Sequence, residues 1–137
     1  MFVKIAHQPL HPEEIISQAK SADSGCVVTY VGLIRNTSHD KPVSSVEYID
    51  ADDQAESRLR NLAEDLLQRF PVNNLALCHR VGKLRVGDIN IVFAFACGHR
   101  QEGFAACSYA VDKFKETLPT QKIETYQDGT ILQNPGS

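Results

Sequence analysis

No apolar run in the 137 residues approaches the roughly 20 residues that a membrane-spanning helix requires, so a transmembrane helix is excluded. The opening Met1-Phe2-Val3-Lys4-Ile5-Ala6-His7 has no long apolar core followed by a cleavage site, and a secretory leader is not expected. Positive charge is not in surplus either. Fourteen Lys and Arg stand against seventeen Asp and Glu, a net charge of -3, which disfavours nonspecific nucleic-acid binding and its basic footprint. Cysteine is sparse and unpatterned. Cys26, Cys78, Cys97 and Cys107 all lie in apolar contexts and form no C-x-x-C pair, so they read as reduced core residues of a cytoplasmic protein. Low-complexity segments and internal repeats are also missing.

What is present is an ordinary globular composition, 42% hydrophobic and 23% charged. A chain of this length buries about two-thirds of its unfolded surface and needs no disulfide or metal to fold. We read residues 1–137 as one domain. The charge is uneven: residues 1–75 are net acidic, and residues 76–137 carry a slight basic excess. An anionic ligand is therefore expected mostly on the C-terminal half.

Phe2–His7 alternates as a short strand, and Pro12 suits the first turn of a helix over Glu13–Lys20. Gly25–Ile34, rich in Val, Thr and Tyr, reads as a buried strand. Arg35–Pro42 reads as a polar loop, and Val43–Ile49 as a second strand paired with the first. Asp52–Phe70 is the clearest helix, with Ala55, Leu59, Leu62, Ala63, Leu66, Leu67 and Phe70 on one face. Leu75–Val81 follows as a strand, and Gly82 and Gly87 punctuate a turn-rich link. Asp88–Cys97 is a nearly continuous apolar run and so a central strand. A helix over residues 99–117 presents Phe104, Cys107, Val111, Phe114 and Leu118, and Thr120–Tyr126 returns as a strand. Asp128-Gly129 reads as a turn. Short adjacent strands alternating with helices give an α+β fold, not a doubly wound parallel sheet.

Gly98-His99-Arg100 places two basic side chains at a helix N-terminus, where a cation opposes the dipole and a bound anion would reverse the penalty. Lys115, four residues after Val111, is expected at the edge of the apolar helix face and partly desolvated, which lowers an ammonium's pKa. Position alone favours a lysine whose stem covers the core while its amine reaches water. Lys122, alternating with Thr120 and Glu124, reads by itself as an exposed strand residue, and Arg35 as a common strand-end arginine. Cys78-His79 and Cys97-x-His99 are the only Cys/His clusters, and neither has metal-site spacing. Glycine-rich phosphate loops and a G-x-S-x-G elbow are absent.

In combination these signals resemble one family, the large, catalytic subunits of molybdopterin synthase, from about Gly25 to Glu124. The matching segments are Gly25-Cys26-Val27-Val28-Thr29-Tyr30-Val31-Gly32-Leu33-Ile34-Arg35-Asn36, His79-Arg80-Val81-Gly82-Lys83-Leu84 with Gly87-Asp88, Gly98-His99-Arg100, and Asp112-Lys113-Phe114-Lys115 with Pro119 and Lys122-x-Glu124. The resemblance implies an α/β-hammerhead-like domain with an additional antiparallel β-sheet, and a homodimer within a heterotetramer. It implies sulfur transfer from the C-terminal thiocarboxylate of a small ubiquitin-like carrier subunit to cyclic pyranopterin monophosphate, giving the dithiolene of molybdopterin. It assigns Arg35, His99 and Arg100 to the substrate, and Lys115 and Lys122 to the carrier's carboxyl end and the reacting centre. Glu124 joins the binding set. No metal or redox cofactor is implied, because the sulfur arrives activated. The expectation is that the five cations line one pocket, within one chain or across a dimer interface.

The chain departs from the family at Gln121, where an aromatic is common, and in the acidic Asp50-Ala51-Asp52-Asp53-Gln54; the tail after Gly129 is also short. The first two features are the support for an alternative reading, a silent paralogue that binds carrier or phosphorylated pterin without turnover. A plain homodimeric structural domain is the third reading.

Overall fold

Prolines punctuate the helices. Pro12 opens the first, and Pro71 and Pro119 stand just beyond the ends of the other two. The computed structural model describes residues 1–134. The elements run β1 (Phe2–Ala6), α1 (Pro12–Ala19), β2 (Cys26–Leu33), β3 (Thr37–Ser38), β4 (Lys41–Ile49), α2 (Ala55–Arg69), β5 (Asn74–Arg80), β6 (Gly82–Arg85), β7 (Ile89–Cys97), α3 (Arg100–Glu116), β8 (Gln121–Tyr126) and β9 (Ile131–Gln133).

The apolar run of β7 becomes an inner strand of a four-stranded sheet ordered β1-β5-β7-β2, in which only β1 and β5 pair in parallel. Alternation sorts its side chains by size. Leu75, Leu77, Ile91, Phe93 and Phe95 face α2 and α3, whereas Ala76, Cys78, Val92 and Ala94 face the shorter α1. Phe93 and Phe95 are fully buried, each stabilising the core by about 1.5–3 kcal/mol. A second, antiparallel sheet has the order β3-β4-β8-β9, with β6 also on β4. Its core is Ile34, Val43, Val46, Tyr48, Val81, Leu84 and Tyr126. Val81 joins β5 to β6 and so carries the chain from one sheet to the other. The architecture is α+β, a hammerhead-like layer with an added antiparallel sheet.

Four local expectations are corrected. The strand Val43–Ile49 does not pair with Gly25–Ile34: β2 is matched along its length to β7, and β4 pairs with β3, β6 and β8. With a partner on one side only, β2 is a half-buried edge strand rather than a buried one. The polar loop contains β3, joined to β4 through His39 and Asp40, both at positive φ (51° and 61°). Such a turn matches strand twist but usually recruits Asn or Gly, so its residues gave no turn signal. The turn-rich link contains β6, too short for alternation to register.

On α3 and just beyond it, Phe114 is buried and Cys107, Val111 and Leu118 pack partly buried against the core as expected, but Phe104 does not, and the most buried positions are small residues. Gly103, Ala106, Ala110 and Phe114 are buried, while Phe104 is 58% exposed. Small residues let the helix approach the sheet closely. A Cβ on Gly103 would lie 2.6 Å from Cys97 Sγ and 2.7 Å from Val28 Cγ2. Gly103→Ala is therefore expected to destabilise by about 1–3 kcal/mol through overpacking, outweighing its gain of up to about 1 kcal/mol in helix propensity. A fall in the urea midpoint checks this. On α2, Leu67 likewise turns outward. Cys26 and Cys97, register partners across β2 and β7, are free thiols with Sγ atoms 3.5 Å apart.

Candidate functional site

A cleft of about 960 Å³ opens where the end of β2, the C-terminal end of α3 and the second sheet meet. Arg35, just past β2, Lys115, in the last turn of α3, and Lys122 and Glu124, on β8, all line it. Alternation puts Thr120, Lys122, Glu124 and Tyr126 on one face of the strand. Tyr48, Asn90, Phe114 and Thr120 complete the deeper wall.

Glu124 is only 4% exposed. Its Oε1 accepts hydrogen bonds from Ser38 Oγ and Tyr126 Oη, each at 2.8 Å. His39 Nε2 lies 3.9 Å from the same oxygen, and Lys122 Nζ lies 3.8 Å from Oε2. A buried carboxylate needs such partners, and here they come from the β3 turn and from β8 itself. The Lys122 side chain is 18% exposed. Burial pulls its pKa below the ordinary lysine value; Glu124 opposes the shift, and Lys115 and Arg35 reinforce it. The three cations thus act on one another across the cleft.

The half-desolvated lysine is therefore Lys122 and not, as expected, Lys115. Phe114 is buried as expected, while Lys115 beside it turns outward to the mouth of the cleft. Lys113 lies outside the cleft with its side chain 42% exposed. It lies 3.1 Å from Glu116 and 5.7 Å from the Tyr109 ring centroid.

His99 and Arg100 do not reach this cleft within one chain. They are exposed at the other end of α3. Fifteen residues separate Arg100 from Lys115, about 22 Å along the axis at 1.5 Å per residue. His99 occupies the N-cap position without a side-chain capping bond. Of the five cations, the structure brings together Arg35, Lys115 and Lys122, with Glu124.

Two of the three departures from the family pattern, the acidic stretch and Gln121, can be placed in the structure. Asp50 Oδ1 accepts from the Ala55 amide at the start of α2. Asp52 pairs with Arg58, whose Nη1 also donates to the Pro119 carbonyl at 3.0 Å. The acidic stretch thus tethers α2 to the link before β8. Gln121 is exposed and does not line the cleft. The sequence does not single out Ser38, Tyr48, Asn90 and Tyr126, neutral residues drawn from four separate strands. Only Tyr126 carried a signal, the alternation from Lys122.

Glu124→Gln leaves an amide among the same hydroxyls but removes the charge that supports the Lys122 ammonium. The Lys122 pKa should then fall further, which an NMR titration of its side chain would read; an unchanged titration would refute the coupling.

Among the described residues, no group of three or more His, Cys, Asp or Glu is arranged to hold a metal ion, and no helix is long and apolar enough to cross a membrane. The fold and site together define a small α+β protein that gathers cations around a half-buried lysine in one cleft. The model of the MoaE protein family matches residues 5–117, and the chain belongs to that family. It is 40% identical to a molybdopterin synthase catalytic subunit from Nostoc sp. over 127 residues, covering 92% of this chain and 77% of the relative. It is 30% identical to the human protein of the same name, covering 93% and 68%. Its fold matches a molybdopterin synthase structure from Staphylococcus aureus with a TM-score of 0.88 at 24% identity, covering 97% and 96%. It also matches a complex of subunits 1 and 2 of the Helicobacter pylori molybdopterin-converting factor, with a TM-score of 0.64 at 14% identity, covering 88% and 76%.

Proposed function

We propose that the chain is a sulfurtransferase, the catalytic subunit of a molybdopterin synthase. It takes sulfur from the C-terminal thiocarboxylate of a small ubiquitin-like carrier and transfers it to cyclic pyranopterin monophosphate, forming the dithiolene of molybdopterin in molybdenum cofactor biosynthesis. The observation that carries this reading is Lys122, half-buried beside Glu124 in a cleft that also holds Lys115 and Arg35. Carrier tail and substrate are both anionic, and clustered cations attract and hold them together. Lys115, exposed at the mouth, meets the carrier's carboxyl end. Lys122, with its lowered pKa, is poised to give and recover a proton as the carbon–sulfur bonds form.

His99 and Arg100 fit the same reading through dimerisation. A second copy supplies them to a cleft lined by Arg35, Lys115 and Lys122 of the first, and two such chains with two carriers make a heterotetramer. The Helicobacter pylori structure, a complex of two different subunits, supports a small-subunit partner. The silent-paralogue reading loses its support, because Gln121 stands off the cleft and the acidic stretch serves α2.

The test is a single-turnover reaction of purified chain, thiocarboxylated carrier and cyclic pterin. Dithiolene formation is expected. Binding without turnover would favour the silent reading, and neither result would leave a structural domain. A separate expectation concerns the isolated chain: titrated sulfate should shift the amide resonances of residues 98–101, because an anion there relieves two basic residues facing the helix dipole. Unmoved resonances would contradict it.

A further inference from the structure

The His79-Arg80-Val81-Gly82 segment takes no part in the site as described, yet His79 lies directly behind it. His79 is fully buried near the end of β5. Its ring stands edge-on to Tyr48 at 4.8 Å and to Phe114 at 5.0 Å, two residues of the cleft wall. Its Nδ1 lies 3.1 Å from the Asn90 carbonyl oxygen, and its Nε2 lies 3.0 Å from Thr120 Oγ1. A carbonyl only accepts, so Nδ1 carries the proton. Nε2 is then an acceptor, and the Thr120 hydroxyl donates to it. The hydroxyl's one hydrogen is thereby committed, and Thr120 can offer the cleft lone pairs only.

Thr120 also ends the short link between α3 and β8. That link is pinned twice, by Arg58 on the Pro119 carbonyl and by His79 on Thr120. Lys115 lies just before the link and Lys122 just after it. What fixes the link fixes the spacing of the two lysines.

We propose that His79 is a positioning residue of the cleft: through Thr120 it holds Lys115 and Lys122 at the separation one anionic ligand needs, and it makes the Thr120 hydroxyl an acceptor for N–H donors that turns away carboxylate or phosphate oxygens. The consequence for turnover rests on the sulfur-transfer reading; the tautomer and the pinning do not.

The experiment uses the full chain labelled with ¹⁵N histidine and lysine, alone and in the single-turnover assay. At neutral pH, His79 should show the Nδ1–H tautomer. Thr120→Val should move both the His79 Nε2 and the Lys122 side-chain resonances. It should also slow turnover about tenfold, the scale of one lost hydrogen bond, with carrier affinity unchanged within about twofold. Thr120→Ser should restore all of these. An Nε2–H tautomer in the unmutated chain overturns the proposal whether or not any variant folds. So does a Thr120→Val chain whose Lys122 resonance and turnover match wild type, or a Thr120→Ser chain no better than Thr120→Val. A wild-type chain without turnover would sink the sulfur-transfer reading, while the tautomer and Lys122 resonances would still decide the role of His79.

Discussion

Replacing Lys122 by alanine should abolish sulfur transfer and leave the melting temperature nearly unchanged. The rate loss follows from its proposed role, since removing a general acid or base typically costs about 10²–10⁴-fold. The stability argument rests on the sign of the pKa shift. The folded chain holds the Lys122 ammonium less well than water does, even with Glu124 beside it. Truncation therefore removes a net electrostatic penalty, and this offsets the packing lost with the side-chain stem. Glu124 keeps its hydrogen bonds from Ser38 and Tyr126. The same shift places the alkaline limb of the pH–rate profile below the ordinary lysine range, because the ammonium is lost at lower pH. Lys115→Ala should act differently, weakening carrier binding more than the chemical step, because Lys115 is exposed at the cleft mouth. Lys113→Ala, outside the cleft, is the control and should turn over like wild type. Single-turnover kinetics beside a thermal melt read all three. Near-normal turnover in the Lys122 variant would refute its role.

The elements that were legible in the sequence are those whose periodicity is long. The β7 run and the α2 face extend over many residues, so burial leaves a clear pattern. The two-residue β3 and four-residue β6 are too short to show alternation, and they form because β4 is there to pair with them. At Phe104, α3 departs from its hydrophobic pattern for a different reason. Hydrophobic periodicity weighs Phe104 above Gly103, but close approach to the sheet selects for small size. Lys115 follows the buried Phe114 but faces solvent, and the lysine that burial reaches is Lys122 on β8. The charged members of the site were visible through motif spacing. Their neutral supports, Ser38, Tyr48 and Asn90, were not, because only tertiary structure brings those segments together. His99 and Arg100 were tied to the same site by motif alone, and one chain keeps them at the far end of α3.

Acidification should cost the fold stability in two separate steps, the first of them from a single histidine. Burial lowers the His79 pKa from 6.5 to about 4, against smaller opposing effects of the Asn90 carbonyl and the Asp50 charge. The unfolded chain therefore binds a proton at this position that the folded chain refuses, over the window between those two values. Stability is fully present above pH 6.5 and declines as pH falls toward 4, with a slope of one proton. Across the whole window the loss is about 3 kcal/mol, at 1.36 kcal/mol per pKa unit. That is a large fraction of the roughly 5–15 kcal/mol that holds a typical domain together. No carboxylate is among the groups in contact with the ring, Tyr48, Phe114, Thr120 and the Asn90 carbonyl, and the Asp50 charge offsets less than burial costs. The second step comes at lower pH. Asp52 and Asp128, both held at about 2 chiefly by Arg58 and by Thr130 respectively, must then be protonated, but both are exposed and their contribution is screened. Urea midpoints measured from pH 7.5 to pH 4 should fall smoothly in wild type. They should fall less in His79→Gln, which has no imidazole to charge. The His79 ring resonances give a second readout that needs no variant: they should stay neutral until the chain begins to unfold. A His79 ring that titrates near 6.5 in the folded protein, with no loss of midpoint, would contradict the argument.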